Sequence, residues 1–203
     1  ELDIGPGELV GVVSYSPQDS EALVEVVSGQ ISPTDYDGSL LLDGIPIEEI
    51  ELASARSVVL VEPHRHDLFA GTVGSNVRVG VTDGRESVVD LALEHSASLD
   101  VLAANPAGLD HAVTDRGASL SGGQRQGVAI SRALARGRRI FILDEPTAAL
   151  GVEQQHKVNE LIANLKAEGK TVLVISHNLE HVFTVADRLV VLRRGKRVGT
   201  RLK

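Results

Sequence analysis

A chain of 203 residues, 42% hydrophobic and 24% charged, is long enough to bury one full core and too apolar for a disordered segment. It has no Cys, which excludes disulfides and thiolate metal sites, and no apolar run near the roughly 20 residues of a membrane span. With 28 acidic against 20 basic residues, two Tyr, three Phe and no Trp, it is poorly equipped to neutralise a phosphate backbone or stack bases, so no nucleic acid is expected as a partner.

Along the chain, Glu8 to Ser14 reads as a buried strand and Ser20 to Ser28 as a helix with one apolar face. "YDGSLLLDG" (36–44) is strand-like between turn residues, and "SVVLVEP" (57–63) is another β-branched apolar run. "SVVDLALEHSA" and "SLDVLAANP" fit two short helices. Next come a helix in "GGQRQGVAISRALARG", a strand in "RIFILDEP", a long helix in "VEQQHKVNELIANLKAEG" ended by Gly169, a strand in "KTVLVISH" and a hairpin in "ADRLVVLRRGKRVG". The runs at 58–61, 140–143 and 172–175 are continuous rather than alternating, which marks strands buried on both faces of a parallel sheet. The order is therefore α/β, with a helical insert in the middle and an antiparallel finish.

Three places carry chemistry. Ser121, Gly122, Gly123 and Gln124 stand directly before a helix, where free N–H groups and the positive end of the helix dipole favour an anion. An S-G-G turn can also be an ordinary cap. "IFILDEPT" ends an apolar strand in Asp144 and Glu145, at the strand edge where open α/β sheets hold ligands. An Asp there can hold Mg2+, and the adjacent Glu can orient or deprotonate water; helix-capping acids are the plainer alternative. "TVLVISH" brings His177 to the same edge, within reach of a terminal phosphate.

On these residues the chain resembles the nucleotide-binding domain of an ABC transporter. "LSGGQ" matches the family signature, "IFILDEPT" its Walker B strand with the catalytic Glu, and "VISH" its switch histidine. "HDLFAGTVGSNV" and "VTDRGASLSGGQRQ" resemble stretches of the exporter branch, whose ATP-binding domain is fused to its permease. The resemblance implies a P-loop NTPase-type (RecA-like) fold: a mostly parallel sheet flanked by helices, with a helical signature subdomain. It places the core at about 1–70 and 138–203, the helical part at about 71–137, and leaves the family's leading antiparallel strands outside this chain. It also implies ATP and Mg2+ as cofactors, a second ABC domain and transmembrane domains as partners, and a place at the cytoplasmic face of the cell membrane. By the same resemblance Glu145 and His177 are catalytic, Asp144 is the Mg2+ residue, and Ser121 to Gln124 contact the partner's ATP.

The phosphate loop departs from the family. G-x-x-x-x-G-K-[ST] falls without a gap on "SYSPQDSE", so Ser14 and Asp19 replace the glycines, Ser20 the lysine and Glu21 the Mg2+-binding hydroxyl. A carboxylate about 4 Å from a phosphate costs roughly 4 kcal/mol at an effective dielectric of about 20. Micromolar binding is worth only about 8 kcal/mol in all. Two acids at the helix N-terminus and no lysine thus predict weak ATP binding at this site or none. The Q-loop glutamine falls on His64, and the D-loop "SALD" reads "AALG", with Gly151 in place of its Asp.

The expected function is the non-equivalent half of an ABC exporter: it lends its signature to a partner's ATP site while its own phosphate loop is degenerate. ATPase activity is expected as part of a dimer and not from this domain alone. The alternatives are a soluble ABC-type ATPase and a scaffold that never touches nucleotide. The transported substrate is not encoded here, since selectivity belongs to membrane helices.

Overall fold

The computed structural model describes residues 2–64, 67–81, 89–90, 92–93, 106–148 and 150–202. In chain order the elements are β1 (Leu9–Ser14), α1 (Pro17–Val27), β2 (Leu41–Leu42), β3 (Ile45–Pro46), α2 (Leu52–Val58), β4 (Val59–Glu62), β5 (Gly71–Thr72), α3 (Val73–Arg78) and β6 (Ala112–Val113). They continue with α4 (Gly122–Ala135), β7 (Ile140–Asp144), α5 (Val152–Ala167), β8 (Thr171–Ser176), α6 (Leu179–Val185), β9 (Arg188–Arg193) and β10 (Lys196–Leu202). The chain divides into two compact units, one of residues 1–63, 138–145 and 169–203, the other of 64–137 and 146–168.

The first unit is built on a six-stranded sheet in the order β10-β9-β1-β8-β7-β4. Every pairing is parallel except β9 with β10. β1, β7 and β8 are almost wholly buried, which is why their sequences are apolar without alternation. Side chains alternate across the sheet. Val10, Val12, Ile142, Leu173, Ile175 and Val190 join Leu23 and Val24 of α1 in one apolar cluster. Gly11 faces the other way, under α6. A Cβ there would lie 1.9 Å from Val182 and 3.1 Å from Ala186, so only glycine lets that helix settle on β1. Helices thus cover both faces of the sheet, as the continuous apolar runs require.

The second unit packs α3 against α4. Its apolar cluster comprises Leu68, Val73, Val77, Val89, Ala92, Leu93, Val113, Leu120, Val128, Ala129 and Ala135. Asn76, fully buried, fixes the segment before α3: its Oδ1 accepts from the Phe69 N–H (2.8 Å), and its Nδ2 donates to the Phe69 and Thr72 carbonyls (2.9 Å each). Arg132 of α4 donates to the Asp67 carbonyl (3.0 Å) and stacks over the Phe69 ring. No described helix is long and apolar enough to cross a membrane.

Several expectations shift in detail. The run 57–63 is divided, its first two residues ending α2 and Val59–Glu62 forming β4. In 36–44 only Leu41–Leu42 pair, with Ile45–Pro46 across an Asp43-Gly44 turn whose residues both have positive φ. The two short helices expected over 87–106 fall mostly outside the described residues. The first helix begins at Pro17 rather than Ser20, and this difference reaches the candidate site.

Candidate functional site

In the first unit, the parallel strands bring three carboxyl ends together. β1 ends at Ser14, β7 at Asp144 and β8 at Ser176; Val13 stands beside Ser176, and Asp144 beside Ile175. The next residues, Tyr15, Glu145 and His177, therefore leave the sheet along one edge, where open α/β sheets hold their ligands.

Glu145 takes a left-handed backbone (φ 48°), a conformation that costs a non-glycine residue about 1 kcal/mol. Its N–H donates to the Ile175 carbonyl (2.8 Å), which holds it there. Its carboxylate is only 13% exposed and its oxygens are used from β8's end. Ser176 Oγ donates to Oε2 (3.0 Å), the His177 N–H donates to Oε1 (2.7 Å), and His177 Nδ1 lies 2.5 Å from the same oxygen. A carboxylate fixed against an exposed imidazole can orient that ring or take up a proton through it. The structure brings Glu145 and His177 together as a bonded pair. Asp144 is buried at the end of β7 beside them in sequence.

Sequence reasoning missed what surrounds this pair. Asn178 caps α6, its Oδ1 accepting the His181 N–H (3.2 Å), and its own N–H donates to Ser176 Oγ (3.1 Å). His181 is buried; burial pushes its pKa down, and the negative charge of Glu145 opposes that shift. Glu62, also buried, ends β4 on the same edge. The spacing H-N-x-x-H after a strand was the available signal for His181.

At the phosphate-loop position the structure differs from a loop. Ser16 is the N-cap and Pro17 the first residue of α1, so only Tyr15 and Ser16 connect strand to helix. Pro17 has no N–H to offer. The N–H groups of Asp19 and Ser20 both donate to the Ser16 carbonyl (3.0 and 3.3 Å), and Ser14 Oγ donates to the same atom (2.8 Å). Asp19 Oδ1 accepts from the N–H of Gly195, in the β9–β10 turn (3.0 Å); its Oδ2 is buried and accepts no hydrogen bond. Ser20, at the lysine position, is buried. Of the two acids expected at the helix N-terminus, Asp19 stands in the first turn and Glu21 in the second. The residues present do not fit a nucleotide's phosphates. A phosphate cradle needs several N–H groups converging on an open loop, and here those of Asp19 and Ser20 close a helical turn. Among the described residues no group of three His, Asp or Glu side chains is arranged to hold a metal ion.

In the second unit Ser121 to Gln124 stand at a helix start, where the sequence puts them. Ser121 is the N-cap of α4 and forms a reciprocal capping box with Gln124: the Gln124 N–H donates to Ser121 Oγ (3.2 Å), and the Ser121 N–H to Gln124 Oε1 (2.9 Å). Gly122 and Gly123 occupy the first turn, whose N–H groups have no intrahelical partner, and Ser121 and Gly122 are exposed. Arg125 donates to the Leu120 carbonyl (2.8 Å) and so fixes the entering chain. The 14 residues of this helix put a full dipole behind this end. His64, at the Q-loop position, is exposed just after β4.

A parallel sheet bearing Asp144-Glu145 and His177 on one edge, together with a capped S-G-G-Q helix, defines an ABC-type nucleotide-binding fold. The chain belongs to the ABC transporter family, whose model matches residues 1–148. It is 39% identical over 193 residues to an ATP-dependent lipid A-core flippase of Burkholderia orbicola, covering 95% of this chain and 32% of that protein. It is 31% identical over 208 residues to the fructose import ATP-binding protein FrcA of Rhizobium meliloti, covering 98% of this chain and 79% of that protein. Among solved structures, a bacterial Atm1-family ABC exporter with ATP bound superposes with a TM-score of 0.88 at 28% identity, over 96% of this chain and 34% of that one. The chain thus spans about a third of the length of the exporters it matches.

Proposed function

We propose that this chain is the nucleotide-binding domain of an ABC exporter and the non-equivalent half of its ATPase. It lends its signature to the ATP site of a second ABC domain and keeps no working phosphate loop of its own. The observation that carries this reading is the contrast between an exposed, doubly capped S-G-G-Q helix end and a phosphate-loop position folded into the first turn of α1. Ser121 Oγ–H and the N–H groups of Gly122 and Gly123 are the donors suited to the terminal phosphate of an ATP held by the partner. ATP and Mg2+ belong mainly to that shared site.

In this reading Glu145, His177 and Asp144 retain the residue types of a hydrolytic edge, but the adjoining loop does not deliver a phosphate to them. His64 and Gly151 stand where the family's Q-loop Gln and D-loop Asp would be, which removes two further means of coupling this chain's own site to transport. The core is taken as about 1–70 and 138–203 and the helical part as about 71–137. The stretch "HRHDLFAGT" (64–72), in which Asp67 is held by Arg132 and Phe69 and Thr72 by Asn76, is the suited contact for transmembrane domains, at the cytoplasmic face of the cell membrane. The outward direction is supported by the higher identity to the flippase than to the sugar importer's ATP-binding protein.

The test is Ser121→Arg in the complete transporter with its partner domain. A bulky cation in the S-G-G turn is expected to lower ATP turnover about a hundredfold, as loss of a preorganised anion-binding donor does. Unchanged turnover would refute a shared site and favour a scaffold that never touches nucleotide.

A further inference from the structure

Composition is not the whole reason the phosphate-loop position is closed. We infer that Pro17 and Asp19 are the residues that exclude nucleotide from this chain: Pro17 starts α1 one turn early, and Asp19 fastens that extra turn to the protein's own β9–β10 hairpin.

The observations come from both ends of the contact. Ser-Pro followed by Gln-Asp is a strong helix-start sequence, because proline's fixed φ suits the first helical position and its missing N–H costs nothing there. With the helix nucleated at Pro17, the Asp19 and Ser20 N–H groups turn back onto the Ser16 carbonyl. Those two residues hold the second-glycine and lysine positions of the motif, where a phosphate loop needs its backbone open. The turn then places the Asp19 carboxylate against the hairpin, where Oδ1 accepts the Gly195 N–H at 3.0 Å. Gly195 follows Arg194, both with positive φ (68° and 51°), so the turn is a tight two-residue one whose backbone N–H projects outward. β9 lies directly beside β1, with Leu192 opposite Ser14, which brings that turn to the start of α1. A segment that would otherwise wrap an external anion is thereby occupied by an internal one. The inference rests on the degenerate-loop reading only through the gapless alignment of 14–21, and it concerns this chain's own backbone, not its partner.

Two variants of this chain test it. The first restores the motif's letters, Ser14→Gly, Asp19→Gly, Ser20→Lys and Glu21→Thr, and keeps Pro17. The second adds Pro17→Gly. The motif leaves position 17 unspecified, so composition alone predicts equal Mg-ATP affinity for the two. The expected result by calorimetry is at least tenfold tighter binding by the second. Equal affinities, or no binding by either, would overturn the role of Pro17. For Asp19, amide exchange at Gly195 is read in Asp19→Asn and Asp19→Leu. The Asn variant keeps an acceptor and is expected to preserve protection; the Leu variant is expected to speed exchange at least tenfold. Exchange unchanged in Asp19→Leu would overturn the fastening contact. The Ser121→Arg experiment reads the partner's site, so either reading can fail without the other.

Discussion

The phosphate-loop position and the signature are both places where the chain enters a helix through a serine N-cap, and they end in opposite states. At Ser121 the side chain and Gln124 satisfy each other, the next two residues are glycines, and the helix end faces solvent. At Ser16 the side chain makes no cap to the helix; it donates instead to Gln18 Oε1 (2.7 Å), while Pro17 and Gln18 stay exposed and Asp19 is met by the hairpin. A helix N-terminus therefore becomes an anion site only where its first N–H groups are left outward. The two junctions differ by a few residues, yet only at Ser121 are the first-turn glycines left facing solvent.

That difference can be broken or sharpened by substitution. The largest stability effect is expected at Asn76, whose side chain makes three hydrogen bonds inside the unit that carries the signature. Asn76→Ala removes all three, two from Phe69 and one from Thr72, and empties a fully buried site, a loss of about 3 kcal/mol. Chemical denaturation should show it, with amide exchange rising across 67–78. A loss below about 1 kcal/mol would mean the segment is held by packing alone.

A middle-sized effect compares the two caps directly. Ser121→Ala should cost about 1 kcal/mol, because it removes one arm of a capping box. Ser16→Ala should cost only a few tenths, because that hydroxyl does not cap α1. Equal losses in urea melts would contradict the different construction of the two junctions.

The smallest effect is a pH dependence at the Walker B edge. Burial holds the pKa of His181 below its ordinary value of 6.5, so the fold binds this proton less readily than the unfolded chain. Its contribution is thus complete above pH 6.5 and lost as pH falls from there towards the folded value. Comparing melting temperatures of wild type and His181→Gln across pH 5 to 7.5 should show a shallower acid-side decline in the variant, by this one group's share. Parallel curves would place His181 outside that dependence.

Much of this was legible in the sequence. Continuous apolar runs mark β7 and β8 as inner strands of a parallel sheet; β4 pairs parallel as well but lies at the sheet's edge and is fully buried only at alternate residues, so its apolar run overstated its burial. "LSGGQ", "LDEP" and "VISH" located the S-G-G-Q helix start and the strand ends that carry Asp144, Glu145 and His177. The Glu145–His177 pair follows from adjacent strands ending together, which spacing suggests and topology fixes. The apolar face that marks the helix at Ser20–Ser28 starts three residues after α1 itself, because the first turn, Pro17-Gln18-Asp19, carries no apolar residue of that face, although Ser16-Pro17 is itself a helix-start signal. The contact between Asp19 and Gly195 joins residues 176 apart in sequence, and no local pattern encodes it. Its cause is the placement of β9 beside β1, a property of sheet order.

The most direct measurement of the central claim is a calorimetric titration of this chain with Mg-ATP. The account predicts no saturable heat up to millimolar nucleotide, because the loop's N–H groups are spent within α1 and its lysine is a buried serine. Saturation in the micromolar range, worth about 8 kcal/mol, would contradict it.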